Sequence, residues 1–400
     1  MKKPKLFFII HSLGAGGAEK SLVSLLNSIP PEKYDIDLMV IGSGGIFRPQ
    51  IPEYINIIPS PLSLRALCYS FHLRQFKDEA KWHTYILKFL LVFIVRMFGN
   101  RKLQIYQRQW AIWKHIIPSL KTKYDVAISY MSGFCNYFVI DKIPYTTKKI
   151  LWIHHDYSEF TENRSFDLRY FCKADAVATV SPVCKDALCK DFPNIAEKFV
   201  VIENISNASL IKKQSLDVIS KHIQKEQRLK IISMGRFAPI KGMDLAIKAA
   251  HILKEKSRDF KWYFLGDGPE RNNLESMITE YGLSDNIELL GVKSNPYPYI
   301  AAADIYCQPS RFEGKSIAID EAKILCKPIV VTRYPSVSDT IENNINGLIV
   351  DIDAQSIAKG VETLLVQPQL RNRLSEYLSC HKEYNTDLVL TSFQNLLTIH

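Results

Sequence analysis

Between Leu229 and Asp351 short apolar runs alternate with amphipathic stretches, and no other feature of the chain limits its fold as much. KIISMG (230–235), KWYFLG (261–266), NIELLG (286–291), DIYCQPS (304–310), PIVVT (328–332) and GLIVDI (347–352) are each too short for a helix and are bounded by turn residues, so they read as buried strands. Helical patterns lie between them, over 243–256, 269–281, 297–303, about 316–326 and near Ser338. A strand that returns through a helix pairs in parallel with its predecessor, and a parallel sheet needs helices on both faces. The pattern therefore predicts a doubly wound α/β domain.

The first half shows the same grammar less cleanly. LFFIIH (6–11) runs into GAGG, after which Ala18, Leu22, Val23, Leu25, Leu26 and Ile29 recur at helical spacing. Further strands are expected at 36–42, 125–130, 148–154 and 176–181. A chain of 400 residues also exceeds what one core serves. The expected organisation is a first Rossmann-like domain over 1–202 with an insert at 62–123, and a connection over 203–228, where Asn, Ser, Lys and Gln replace strand character. A second Rossmann-like domain over 229–380 follows, then a C-terminal helix (381–400) that packs back on the first domain.

Charge is concentrated. The formal net charge is +10, and between Leu62 and Lys123 twelve Lys and Arg stand against two Asp and Glu, which is +10 for that stretch alone. A local excess argues against wrapping nucleic acid and for a patch that meets an anionic surface. KWHTYILKFLLVFIVRMFG and YQRQWAIWKHI interleave those cations with aromatic and aliphatic residues, as an interfacial helix does, although a buried insert with snorkelling cations would read the same way. The run from Tyr85 to Gly99 is too short and too interrupted to span a bilayer, and MKKPKLFFII has too short an apolar core for a secretory signal. Eight scattered Cys form no C-x-x-C pair and read as reduced thiols. The expected location is cytoplasmic, peripheral on the inner face of the cytoplasmic membrane.

In open parallel sheets ligands bind beyond the carboxyl ends of strands, so polar residues directly after strands carry the chemical information. GRFAPIKG (235–242) places Arg236 and Lys241 in one such loop, suited to a phosphate clamp but also readable as solvated loop charges. SRFEGKSIAIDEA (310–322) places Glu313 in another, with a helix beginning near Lys315, Ser316 and Ile317 whose free amides would attract an anion, and with Glu321 inside that helix. LGDGPE adds Gly266 and Gly268 at a third strand end, where a nucleotide base or ribose would have room to lie against backbone, if this is more than an ordinary turn. GAGGAEK offers Gly16 and Gly17 ahead of a helix, without satisfying the dinucleotide pattern of glycines. WIHHDYSE (152–159) ends a strand with His154 and His155, of which either could line the site. Asp351-Ile-Asp353 spells a metal-binding D-x-D but sits just ahead of a helix, where capping explains it better.

R-x4-K and E-x7-E in this order, together with GGAEK, LGDGPE and the run from Asn286 to Val350, resemble the large retaining glycosyltransferase family 4, of the bacterial surface-polysaccharide type. The resemblance covers almost the whole chain and is weakest from Leu62 to Lys123. It implies the GT-B fold, two Rossmann-like doubly wound parallel-sheet domains facing a cleft. It implies transfer of a hexosyl or N-acetylhexosaminyl group from a nucleotide diphosphate sugar, with UDP as the expected base carrier, to a saccharide or polyprenyl-diphosphate-linked acceptor. By the same resemblance Glu321 would hold the ribose hydroxyls, Arg236 and Lys241 the diphosphate, Glu313 and His154 the transferred sugar, and the Gly16–Gly17 loop diphosphate and acceptor. Paired cations and a helix start can neutralise a leaving diphosphate, so no metal and no cofactor are expected. Two other classes remain open: a nucleotide-sugar 2-epimerase of the same fold, and a non-catalytic sugar- or nucleic-acid-binding protein, which the basic aromatic patch alone would suit.

Overall fold

The computed structural model describes residues 3–42, 44–68, 82–100, 102–157, 163–381 and 386–398. It forms two compact units, Met1–Glu203 with Leu388–His400, and Asn204–Asp387. In the first, β1 (Lys5–Ile10), β2 (Asp35–Val40), β3 (Asn56–Ile58), β4 (Tyr124–Ser129), β5 (Thr146–Ile153), β6 (Ala176–Thr179) and β7 (Phe199–Val201) make one sheet in the order β3-β2-β1-β4-β5-β6-β7. In the second, β8 (Leu229–Met234), β9 (Phe260–Leu265), β10 (Ile287–Gly291), β11 (Ile305–Gln308), β12 (Ile329–Thr332) and β13 (Leu348–Val350) are ordered β10-β9-β8-β11-β12-β13. All pairings are parallel. Central strands such as β1, buried from Leu6 to Ile10, show continuous apolar runs because helices cover both faces.

Each sheet has one point where the strand order reverses, between β1 and β4 and between β8 and β11. The loops leaving the carboxyl ends of those neighbours diverge to opposite faces and leave a crevice between them. This topology selects the segments after β1, β4, β8 and β11 as the places where a ligand can be met.

Two strands have no sequence signal. β3 and β7 are three-residue edge strands, too short to show a periodicity. The stretch 203–228, expected as a connection, contributes to the second core instead. It holds the helices Ala208–Gln214 and Lys221–Lys225, and Ile211, Ile219 and Ile223 are buried with Ile232, Tyr263 and Ile319. One or two anchors per short helix leave no readable pattern in an otherwise polar segment.

The helix Thr386–Leu397 buries Val389, Phe393 and Leu397. Residues from Leu388 onward belong to the first unit, where the Phe393 ring lies 6.3 Å from both Phe8 and Trp152.

The insert resolves into two kinds of helix. Ile105–Trp113 is a core element: Trp110 and Trp113 are buried, Trp110 Nε1 donates to Asp141 at 3.0 Å, and Gln107 donates to Asp167 at 3.0 Å. These aromatic residues therefore do not meet a membrane. Trp82–Phe98 buries Lys88, Leu91 and Val95 on one side, so Lys88 is not a surface cation either. The Tyr69–Lys81 part of the insert lies outside the described residues. No described helix is long and apolar enough to cross a membrane.

Phe393→Ala removes a fully buried ring and is expected to lower the stability of the first unit by about 3–5 kcal/mol. Urea unfolding should show the transition of that unit moving to lower denaturant, and an unchanged profile would mean that the helix does not close its core.

Candidate functional site

In the second unit, the loop after β8 runs from Gly235 through a short turn of helix (Pro239–Lys241) into the helix Met243–Glu255. The loop after β11 runs into the helix Ile317–Ile324. These two loops flank the switch point, and they are bonded to each other. The Arg311 N–H donates to Ile240 O at 2.8 Å. The Arg311 guanidinium forms a fork with Asp244, at 2.7 and 2.6 Å, and also donates to Pro239 O at 2.5 Å. Gly242 lies against Pro309 at φ +65°, where a Cβ would sit 1.9 Å from the Pro309 oxygen, so only glycine permits the approach.

Held this way, Lys241 and Glu313 form an ion pair at 2.6 Å. Glu313 is only 8% exposed, and its other oxygen accepts from Gln308 Nε2 at 3.0 Å and from Ser310 Oγ at 2.7 Å. Gln308 is oriented in turn by Tyr306, whose hydroxyl donates to its amide oxygen at 2.6 Å. The carboxylate is fixed by charge-assisted bonds from three sides. Lys241 uses one of its three N–H donors here, leaving two directed elsewhere. Arg236 is exposed, and its guanidinium makes no ion pair or hydrogen bond among the described residues.

Lys315, Ser316 and Ile317 follow Glu313 along the same loop, and Ser316 caps the helix without a side-chain bond to its first turn. Glu321 lies on the buried face of that helix, 1% exposed, where it accepts from the Tyr297 hydroxyl at 3.3 Å. Burial and the adjacent Glu321 carboxylate both push the Tyr297 phenol up, so it stays protonated and donates. The structure thus joins Lys241 to Glu313 directly and places Arg236, Lys315, Ser316 and Ile317 on the same two loops.

Gly266 and Gly268 are required by a close approach of backbone. A Cβ on Gly266 would lie 1.9 Å from Gly235 O, and one on Gly268 would lie 2.3 Å from Phe237 O. The loops after β8 and β9 fit against each other there, with Gly235 N donating to Leu265 O and Phe237 N to Asp267 O. The space left by the missing side chains is taken up by the protein's own backbone. Asp353 caps the helix Ala354–Val366 by accepting from Ser356 N at 2.8 Å, and Asp351 pairs with Arg333 at 3.1 Å.

In the first unit, Gly16 caps the helix Gly17–Ser28, and the Glu19 carboxylate folds back over it, accepting from Ser12 Oγ at 3.0 Å. A Cβ on Gly16 would lie 2.0 Å from Glu19 Oε2, so the glycine admits the acid to the head of its own helix. His154 follows β5 and packs on aromatic rings, stacked 6.0 Å from Trp152 and tilted against Tyr130 at 4.9 Å. Burial pushes the His155 imidazole down to about 4 against the opposing pull of Asp156, so it is neutral near pH 7. Ser158 and Glu159, the end of that motif, lie outside the described residues.

Comparison with known proteins bears on the fold and on the activity. Residues 216–379 match the model of glycosyl transferases group 1. An uncharacterised glycosyltransferase of Haemophilus influenzae is 23% identical, the alignment covering 98% of this chain and 99% of the relative. The N-acetylgalactosamine-N,N'-diacetylbacillosaminyl-diphospho-undecaprenol 4-alpha-N-acetylgalactosaminyltransferase of Campylobacter jejuni is 26% identical over 92% of both chains. The Anabaena protein HepE, solved in complex with UDP-glucose, superposes with a TM-score of 0.69 at 16% identity, covering 98% of this chain and 99% of its own. The fold is GT-B, and the chain is a glycosyltransferase.

Arg311 and Asp244 escape a search of strand ends for ligand contacts because they bind each other; the only trace in sequence is an Arg and an Asp beside the two motifs. Arg311→Ala should lower kcat/KM about tenfold with an unchanged circular dichroism spectrum, and Arg311→Lys, which keeps the charge but loses the fork, should fall between. Unaltered kinetics in both variants would remove the clamp from any positioning role.

The depressed His155 value has a signed consequence. Above pH 6.5 neither native nor unfolded chain protonates this ring, whereas between 6.5 and about 4 the unfolded chain does and the native one does not. Stability should therefore fall as pH drops through that window, and His155→Gln should flatten the dependence of the urea midpoint on pH.

Proposed function

We propose that the chain is a retaining transferase of family 4 type that moves a hexosyl or N-acetylhexosaminyl group from a UDP-sugar to a saccharide or lipid-linked saccharide acceptor in surface polysaccharide synthesis. The observation that carries the reading is the Lys241–Glu313 pair at the β8–β11 switch point, with Arg236 on the same loop and a helix start beside it. Support for the donor and acceptor classes comes from the names of the similar proteins: one structure holds UDP-glucose, and one relative acts on a diphospho-undecaprenol-linked saccharide.

In this reading Arg236 and the two remaining donors of Lys241 engage the diphosphate, along with the amides near Lys315, Ser316 and Ile317. Lys241 then bridges two parts of the donor, since it also holds the Glu313 carboxylate that accepts from the hydroxyls of the transferred sugar. Glu321, aimed by Tyr297, accepts from the ribose diol. In the first unit, His154 and the Gly16–Gly17 loop are assigned to sugar and acceptor recognition.

The bond from the anomeric carbon to the β-phosphate oxygen breaks as the acceptor oxygen bonds to the same face of that carbon, and the acceptor proton passes to the departing phosphate oxygen. The protein contributes orientation and positive charge for the leaving diphosphate, with neither a protein nucleophile nor a metal assigned a step. An acceptor carried on a lipid also implies peripheral contact with an anionic membrane.

Arg236→Ala and Glu313→Gln should each lower kcat by about 100-fold or more while the melting temperature holds, the range expected when one preorganised electrostatic group is lost. Wild-type turnover in both variants would exclude this site. Release of UDP that requires an acceptor separates the transferase from an epimerase, which needs none.

A further inference from the structure

The helix Trp82–Phe98 has apolar residues on two opposite faces. Leu91 and Val95 point into the first core, while Ile86, Phe89, Leu90, Phe93, Ile94 and Met97 stand 38–64% exposed. Those six recur at i, i+3, i+4, i+7, i+8 and i+11, one continuous stripe along the outside of the helix. Single exposed apolar residues are ordinary, but a stripe of six along one helix, two of them Phe, marks an interaction surface.

Length and charge decide what covers it. At about 1.5 Å per residue its 17 residues reach about 25 Å, short of the roughly 30 Å hydrocarbon core of a bilayer, so the helix cannot span one. The segment 62–123 carries +10, and Arg96 on the helix itself and Lys102, Lys121 and Lys123 further along the segment are exposed. A second copy of the chain would bring the same positive excess against this one. An anionic surface with an apolar interior satisfies both the stripe and the charge.

We infer that this helix docks the enzyme on anionic lipid by lying flat in the interface, its outer stripe at the boundary of headgroups and acyl chains and the exposed cations of the insert among the headgroups. The inference rests on the peripheral-membrane part of the proposed function and adds the device. Buried Lys88 takes no part. Entry of the side chains supplies the salt-insensitive portion of binding, and the cations supply the portion that salt screens.

The full-length chain would be sedimented with vesicles of phosphatidylglycerol and phosphatidylcholine, and with phosphatidylcholine alone, at low and high salt. Binding is expected to the anionic vesicles, weakened by salt, and to fall about tenfold or more in Phe89→Ser/Phe93→Ser/Met97→Ser, a loss of about 1.4 kcal/mol. The melting temperature and turnover on a water-soluble acceptor should not change, because these three side chains lie outside the core. Lys121→Glu/Lys123→Glu tests the charge half separately and should abolish the preference for anionic lipid. If the triple variant pellets as well as the wild type, the stripe is not the device, although membrane contact itself survives. If the wild type pellets with neither vesicle, device and contact both fail, and a dimer lost in the triple variant would then assign the stripe to a second copy.

Discussion

The Lys241–Glu313 ion pair exists because two separate loops are held within hydrogen-bonding distance at the point where the second sheet reverses its strand order. Neither residue could hold the other there alone. A flexible lysine and a loop carboxylate near a surface gain little from pairing when both must be ordered for it. Here the ordering is done beforehand, by the Arg311–Asp244 fork, by the close approach of Gly242 to Pro309, and by Gln308 and Ser310 gripping the opposite carboxylate oxygen. The consequence is a preorganised carboxylate and an ammonium with unused donors, at the mouth of a parallel sheet beside a helix start. That arrangement suits recognition of a sugar joined to a diphosphate.

The same logic runs through both units. Parallel strands buried on two faces leave their polar chemistry no place except the ends, and the order reversal opens a crevice there. In the first unit the end of β1 leads into the Gly16 turn with Glu19 folded over it, and the end of β5 carries His154, stacked on Trp152 and tilted against Tyr130. Rigid aromatic packing beneath His154 restricts its ring to few orientations, which a recognition contact requires.

Legibility in the sequence followed the range of the interactions. Long apolar strands such as β1, β5, β8 and β9 announce themselves, and so does the capping role of Asp353, because each depends on neighbours within a few residues. Edge strands of three residues do not. Nor do Ile211 and Ile223, whose burial depends on partners far ahead in the chain, such as Tyr263 and Ile319. Trp110 resembles an interfacial residue in a basic, aromatic stretch, yet its partner Asp141 comes from a different helix. That Gly266 and Gly268 lie against the backbone of Gly235 and Phe237 is likewise invisible in the sequence.

By itself the sequence determined the alternation of strands and helices, the parallel sheets that follow from it, the strand ends at which Arg236, Lys241 and Glu313 must sit, and the helix that carries Glu321, since these depend on local patterning and on the few ways a parallel sheet can be connected. Only the tertiary structure decided that Lys241 is shared with Glu313, that Arg311 and Asp244 lock the two loops, that Lys88 is buried, and that the outer stripe of Trp82–Phe98 remains uncovered by the described fold. Those outcomes depend on contacts between residues far apart in the chain, whose distances one-dimensional spacing does not encode.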